Sequence, residues 1–181
     1  GTPNMSNFTW RLKGRAYTLG HNVPHPGVVI PAWLISGRYL DAKDLVPHLF
    51  EQIDPGFHER AKPGDIIVAG RNFGMGPKMN GYVAMEALGL GLIADSMPFL
   101  GYRAAVGCGL RVLADCPGII DHVEMGDTLE VNYLTGDFTN HTQGVELSFP
   151  PVPEALQEII ALGGNKGWLK DWWEKNREAP R

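Results

Sequence analysis

The chain of 181 residues is 44% hydrophobic and 20% charged, the size and composition of a single globular domain spanning residues 1–181. Sixteen Lys and Arg against twenty Asp and Glu leave a net charge of -4, the wrong sign for a surface that wraps a phosphate backbone, so nucleic acid is not an expected partner. No apolar run approaches the roughly 20 residues of a membrane helix, no signal-peptide core precedes Gly20, and Cys108 and Cys116 are too few for a disulfide framework or a thiolate cluster, so a reducing cytoplasm is the expected setting.

Taken in chain order, Val28-Val29-Ile30-Pro31 reads as a short strand. Leu45, Val46, Leu49, Phe50 and Ile53 mark an amphipathic helix that Pro47 starts late or kinks. Lys62-Pro63-Gly64-Asp65 is a turn, and Ile66-Ile67-Val68-Ala69-Gly70 is the continuous apolar run of a strand buried on both faces. A helix from Pro77 to Leu88 carries Met79, Val83, Ala87 and Leu88 at helical spacing, with Pro77 suited to its first turn and Gly89 to its cap. Leu92-Ile93-Ala94 is the next strand, and Ser96 caps a helix through Tyr102 and Val106 that stops near Gly109. With Leu110-Arg111-Val112-Leu113 this completes β-α-β-α-β, which implies a largely parallel central sheet with flanking helices. Thr128 to Leu134 alternates, Thr135-Gly136-Asp137 turns, and Gly144 to Phe149 supplies the partner strand of an added β-hairpin. A last helix starts after Pro153 and ends at Gly163-Gly164. The core spans about residues 15–165, and the tail 166–181 carries Trp168, Leu169, Trp172 and Trp173, aromatic enough to dock, before a solvated end.

Ligands of open α/β sheets bind beyond the carboxyl ends of the strands. The loop there reads Asn72-Phe73-Gly74-Met75-Gly76-Pro77-Lys78. Its glycines let backbone N–H groups approach a ligand, and a helix N-terminus adds partial positive charge, so residues 70–81 are expected to form a cradle of amides facing an anion. The spacing alone describes a plain turn equally well. Lys78 is the titratable group there; it faces a carboxylate or phosphate, or else is a solvated surface lysine. His48, His58, His122 and His141 show no partner pattern and read as surface or structural. Cys108 reads as a small buried side chain, and Cys116 has no partner in sequence.

The run from Lys62 through Gly76 resembles the strand and glycine loop of the 3-isopropylmalate dehydratase small-subunit family, in the aconitase superfamily. Gly20-His21-Asn22-Val23 with Val28-Val29-Ile30-Pro31, Gly37-Arg38-Tyr39-Leu40, Tyr102-Arg103-Ala104, Gly109-Leu110, the segment from Gly126 to Val131 and Gly163-Gly164 are similar to further family motifs in the same order. The resemblance covers about residues 15–170. It implies an α/β fold, the aconitase-type swivelling β/β/α domain, closing over a large subunit that holds a 4Fe-4S cluster through its own cysteines. In such lyases the cluster acts as a Lewis acid on a small organic acid substrate, while the small subunit supplies a serine alkoxide and an arginine that grips a carboxylate.

The departures fall at the site. Where the family continues Ser-Ser-Arg-Glu-His, this chain has Pro77-Lys78-Met79-Asn80-Gly81. The family's Tyr-Leu-Arg-Thr is Tyr39-Leu40-Asp41-Ala42, and its Asp-Thr-Asp has become Pro24-His25-Pro26-Gly27, one residue longer. Three functions follow: a hydro-lyase or isomerase heteromer acting on a hydroxy acid other than isopropylmalate, a catalytically silent closing or regulatory subunit, or a free-standing binding module. For the first, the candidate catalytic residues are Lys78, as base or carboxylate anchor, and His25, as proton donor or hydrogen-bond partner. Asn72, Phe73, Gly74, Met75, Gly76, Tyr39, Asp41 and Arg103 are the candidate substrate-binding residues. By the resemblance His21 and His25 lie near the cleft, but Pro24 and Pro26 forbid the helix that would let them share a metal, and no metal ligand is assigned. Asp41, Met75 and Met79 together point to a substrate that is less anionic, larger or partly hydrophobic.

Overall fold

The computed structural model describes residues 8–36, 41–76 and 80–177, and one strand organises them. β1 (Arg11–Thr18) pairs in parallel with β2 (Ile66–Ala69), Ala16 opposite Ile66. Its first half pairs antiparallel with β5 (Thr128–Asn132), Arg11 opposite Asn132. Adding β3 (Gly91–Ala94), β4 (Arg111–Leu113), β6 (Asp137–Asn140) and β7 (Val145–Ser148) gives one sheet in the order β4-β3-β2-β1-β5-β6-β7. The pairs from β4 to β1 are parallel, and those from β1 to β7 antiparallel. Every residue of β2 and β3 is buried, as helices on a parallel sheet require, whereas β5 alternates buried and half-buried positions.

The helices are α1 (Ala32–Ser36), α2 (Ala42–Leu45), α3 (Phe57–Arg60), α4 (Gly81–Ala87), α5 (Phe99–Gly107), α6 (Glu154–Ala161) and α7 (Asn165–Asn176). α4 and α5 supply the expected crossovers β2-α4-β3 and β3-α5-β4. Each ends one residue before its cap, with Gly89 and Gly109 following in the left-handed region at φ 73° and 80°.

Several expectations are corrected. Val28–Pro31 is not a strand: residues 25–29 form one wide helical turn in which Gly27 has φ 98°, and only Ile30 makes an isolated bridge, to Pro26. The flanking prolines forbid ladder donation there. Helix 45–53 is reduced to α2 and a tighter turn at Val46–His48, because Pro47 removes the donor that would continue it. The helix expected from Pro77 is described only from Gly81 onward. Ser96 does not cap α5, whose N-cap is Pro98. The hairpin is a three-stranded meander, with β6 inserted between the two expected strands. α7 leaves Trp172 and Trp173 exposed and buries Asp171 instead, paired to Lys175 at 2.7 Å.

Candidate active site

The carboxyl ends of β1, β2 and β3 deliver three loops to one edge of the sheet, residues 19–25, 70–76 and 95–98. They are laced by backbone hydrogen bonds: Gly70 N–H donates to the Gly20 carbonyl at 3.1 Å, and Asn22 N–H to the Arg71 carbonyl at 2.8 Å. This approach requires a glycine at 70, where a Cβ would collide with His21 Nδ1. Asn22 and Asn72 both turn in the left-handed region, φ 55° and 57°, which asparagine tolerates better than most residues. Their side chains meet, Asn72 Nδ2 donating to Asn22 Oδ1 at 3.3 Å and also contacting Met75 Sδ at 2.6 Å.

The expected outward cradle is corrected. Asn72 N–H donates to Ser96 Oγ at 2.9 Å, Phe73 N–H to the Ser96 carbonyl at 3.0 Å, and Gly74 N–H to the Val23 carbonyl at 2.7 Å. Buried amides take the nearest acceptor, and here the neighbouring loops supply it. Gly76 is exposed and makes no hydrogen bond with the described residues. Phe73 is fully buried and packs on Tyr82 with ring centroids 6.5 Å apart, so its side chain anchors the loop from beneath.

His25, expected as proton donor or hydrogen-bond partner, makes a hydrogen bond within the fold. It is wholly buried, and its Nε2 accepts the Gly81 N–H at 2.8 Å, holding the start of α4. That bond places the ring proton on Nδ1. Burial lowers its pKa from 6.5 to about 3, so the ring is neutral. The ring stands edge-on to Tyr82, centroids 4.9 Å apart, and neither His25 Nδ1 nor Tyr82 Oη finds a partner among the described residues. Both face Gly74, where a Cβ would collide with Tyr82 Oη and lie 3.7 Å from His25 Nδ1.

The groups on the outside of this edge are other ones. His21, Asn22 and Arg71 are exposed, and Asn72 and Met75 are half-buried. His21 Nδ1 accepts the Arg71 N–H at 2.7 Å, which leaves Nε2–H as a donor with a fixed tautomer. Arg71 forms no ion pair with the described residues. Sequence reasoning passed over Arg71, although its signal was present: it is the cation directly beyond the buried strand, inside the motif itself.

Lys78 and Tyr39 lie outside the described residues, as do Pro77 and Met79. Asp41 is exposed, and its carbonyl accepts the amides of Asp44 and Leu45 at the start of α2. Arg103 is exposed on α5 with its guanidinium 5.7 Å from the ring centre of Phe99 on the same helix, and it has no carboxylate partner among the described residues. Among the described residues no group of three His, Cys, Asp or Glu could hold a metal ion. Burial pushes the thiols of Cys108 and Cys116 up to about 11 and about 12, which keeps them protonated. These residues do not suit an iron-sulfur cluster.

No family model matches the chain. Whole-length relatives do. The 3-isopropylmalate dehydratase small subunit of Thermodesulfovibrio yellowstonii is 36% identical over 165 residues, 88% of this chain and 94% of that protein. The isopropylmalate/citramalate isomerase small subunit of Methanocaldococcus jannaschii is 35% identical over 161 residues, again 88% and 94%. The crystal structure of 3-isopropylmalate dehydratase (leuD) from Methanocaldococcus jannaschii superposes with a TM-score of 0.83 at 27% identity, covering 94% of this chain and 99% of that one. A sheet edge built from the same ordered motifs, and likeness along nearly the full length of both partners, lead to one conclusion: the chain belongs to the 3-isopropylmalate dehydratase small-subunit family.

Proposed function

We propose that this chain is the small subunit of a heteromeric aconitase-type hydro-lyase or isomerase that acts on an organic hydroxy acid other than isopropylmalate and closes over a large subunit carrying a 4Fe-4S cluster. Relatives that are themselves named small subunits support the heteromer. The observation that carries the altered substrate is the site edge: the family's Ser-Ser-Arg-Glu-His is absent, and the exposed polar groups beside it are Arg71, His21 and Asn22. Arg71 offers a planar fork for one carboxylate, and His21 Nε2–H a neutral donor beside it. Asn72 and Asn22 fix the turns that present both. The Met75 thioether and Gly76 form a soft, open flank suited to a bulkier or partly apolar acid. Lys78 follows in sequence as base or second anchor. The base role requires a closed, dry interface that lowers its pKa toward neutrality.

The test is a substrate panel on the complex reconstituted with its large subunit. We expect a bulky hydroxy monoacid to be preferred over isopropylmalate and over small di- and tricarboxylates; the opposite preference removes the proposal. Arg71→Gln should raise KM about tenfold or more with little change in kcat, the loss of one charge-assisted contact. Lys78→Ala should lower turnover roughly tenfold or more. A silent closing subunit is the second reading, favoured by the inward-turned amides of Asn72, Phe73 and Gly74. It predicts turnover insensitive to both substitutions.

A further inference from the structure

A cleft of about 270 Å³ opens at the opposite edge of the parallel strands from the loops described above, where β2 begins and Leu90 leads into β3. Its lining is apolar at the start of β2, where Ile66 and Ile67 present their backbone and, on alternate faces, one side chain; Phe57 and Leu90 line it too, and Met125, 57% exposed, stands at the rim. Four charges surround it, and three are engaged. Asp54 pairs with Arg60 and accepts the Tyr17 hydroxyl at 3.1 Å. The two oxygens of Asp65 accept the Arg15 and Lys62 amides, each at 2.9 Å. Arg15 forms no ion pair with the described residues, and its guanidinium lies beside Gly126, another lining residue, 3.3 Å from where a Cβ there would stand.

From this arrangement we infer a second ligand site, independent of the proposed active site, for a short aliphatic monocarboxylate. Arg15 at the mouth takes one carboxylate, and the apolar lining takes a branched tail. A dicarboxylate is excluded, because its second charge would meet either the apolar lining or Asp54. The volume lies just under the ~300 Å³ at which pockets begin to hold drug-sized molecules, which suits a small ligand. Tyr17 is pushed up to about 12 by burial and by Asp54, so it stays a neutral donor and does not compete for the cation.

The test is methyl NMR of the full chain titrated with 4-methylpentanoate, its amide and succinate. We expect saturable shifts of the Met125 and Leu90 methyl groups, and of one of Ile66 and Ile67, with the carboxylate. The amide and succinate should each bind about tenfold or more weakly. Arg15→Gln should weaken the carboxylate by the same factor and leave the amide unchanged, and Met125→Glu should weaken it by repulsion and by loss of the apolar rim. Unchanged methyl shifts elsewhere verify that both variants fold. The inference is overturned if no saturable shift appears at millimolar ligand, if acid and amide bind alike, if succinate matches the monoacid, or if Arg15→Gln has no effect. Because the assay needs no large subunit and no turnover, its failure is separate from failure of the proposed reaction.

Discussion

Gly74 turns with φ 81° directly above Tyr82 Oη, so a side chain there meets two costs at once. The left-handed backbone costs an L-residue about 1–2 kcal/mol, and overpacking adds about 1–3 kcal/mol. Gly74→Ala should therefore destabilise the chain by about 2 kcal/mol or more, measured by urea unfolding. Tyr82→Phe alone should be near neutral, since its hydroxyl has no partner to lose among the described residues. In the Tyr82→Phe background the cost of Gly74→Ala should fall to the backbone share, because the next ring atom lies 3.6 Å away. His25 makes a pH prediction. The folded ring titrates at about 3 and the unfolded one near 6.5, so on acidification the unfolded chain takes the proton first. Its stabilisation is complete above the unfolded value and is lost as pH falls through that window, by about 1.4 kcal/mol per pH unit. His25→Gln keeps an acceptor for the Gly81 amide without titrating, and should flatten this part of the stability profile. At this scale the sequence located the edge but not the roles. Phe73 is assigned to the ligand side because glycine spacing marks a loop without saying which side of it is packed, and His25 is placed near the cleft by the resemblance alone.

Among the elements, β2, β3, β4 and α5 were legible because continuous apolar runs and glycine caps leave few alternatives. β1 was not. Its inward positions are Leu12, Gly14 and Ala16, and the middle one must be glycine because a Cβ there would collide with the Gly64 carbonyl. That breaks the apolar alternation which reveals a strand. β6 was hidden differently. It carries one large apolar residue, Phe138, and ends in the buried Asn140, a polar residue that the sequence alone assigns to a turn. Asn140 Nδ2 donates to Asp127 Oδ2 and to the His122 carbonyl, both at 2.9 Å, and Gln143 Nε2 donates to the same Asp127 oxygen at 2.7 Å. The Glu124 amide also reaches that oxygen, at 2.9 Å. These bonds hold the Asp127 carboxyl below the usual range. Replacing Asn140 by Ala leaves the buried Asp127 short of a donor and the His122 carbonyl unsatisfied. The expected loss is roughly 1–3 kcal/mol, read by chemical denaturation, with β5 and β6 amides exchanging faster than those of β2.

Across the whole molecule, protection should follow the burial map. Amides of β2 and β3, buried at every position, should exchange only through global unfolding. Those of α7, which exposes Leu169, Trp172 and Trp173, should exchange earliest among the longer helices, as hydrogen-deuterium exchange can establish. The tail was legible as aromatic and able to dock, but neither its helix α7 nor its exposure was, since hydrophobic composition does not reveal which atoms remain uncovered. β1 adds a constraint of another kind. A single strand serves as the common seam of a parallel and an antiparallel ladder. Residues 11–15 hold the antiparallel wing and residues 16–18 the parallel one, so the Arg15–Ala16 peptide is the hinge point at which a break would uncouple the two wings.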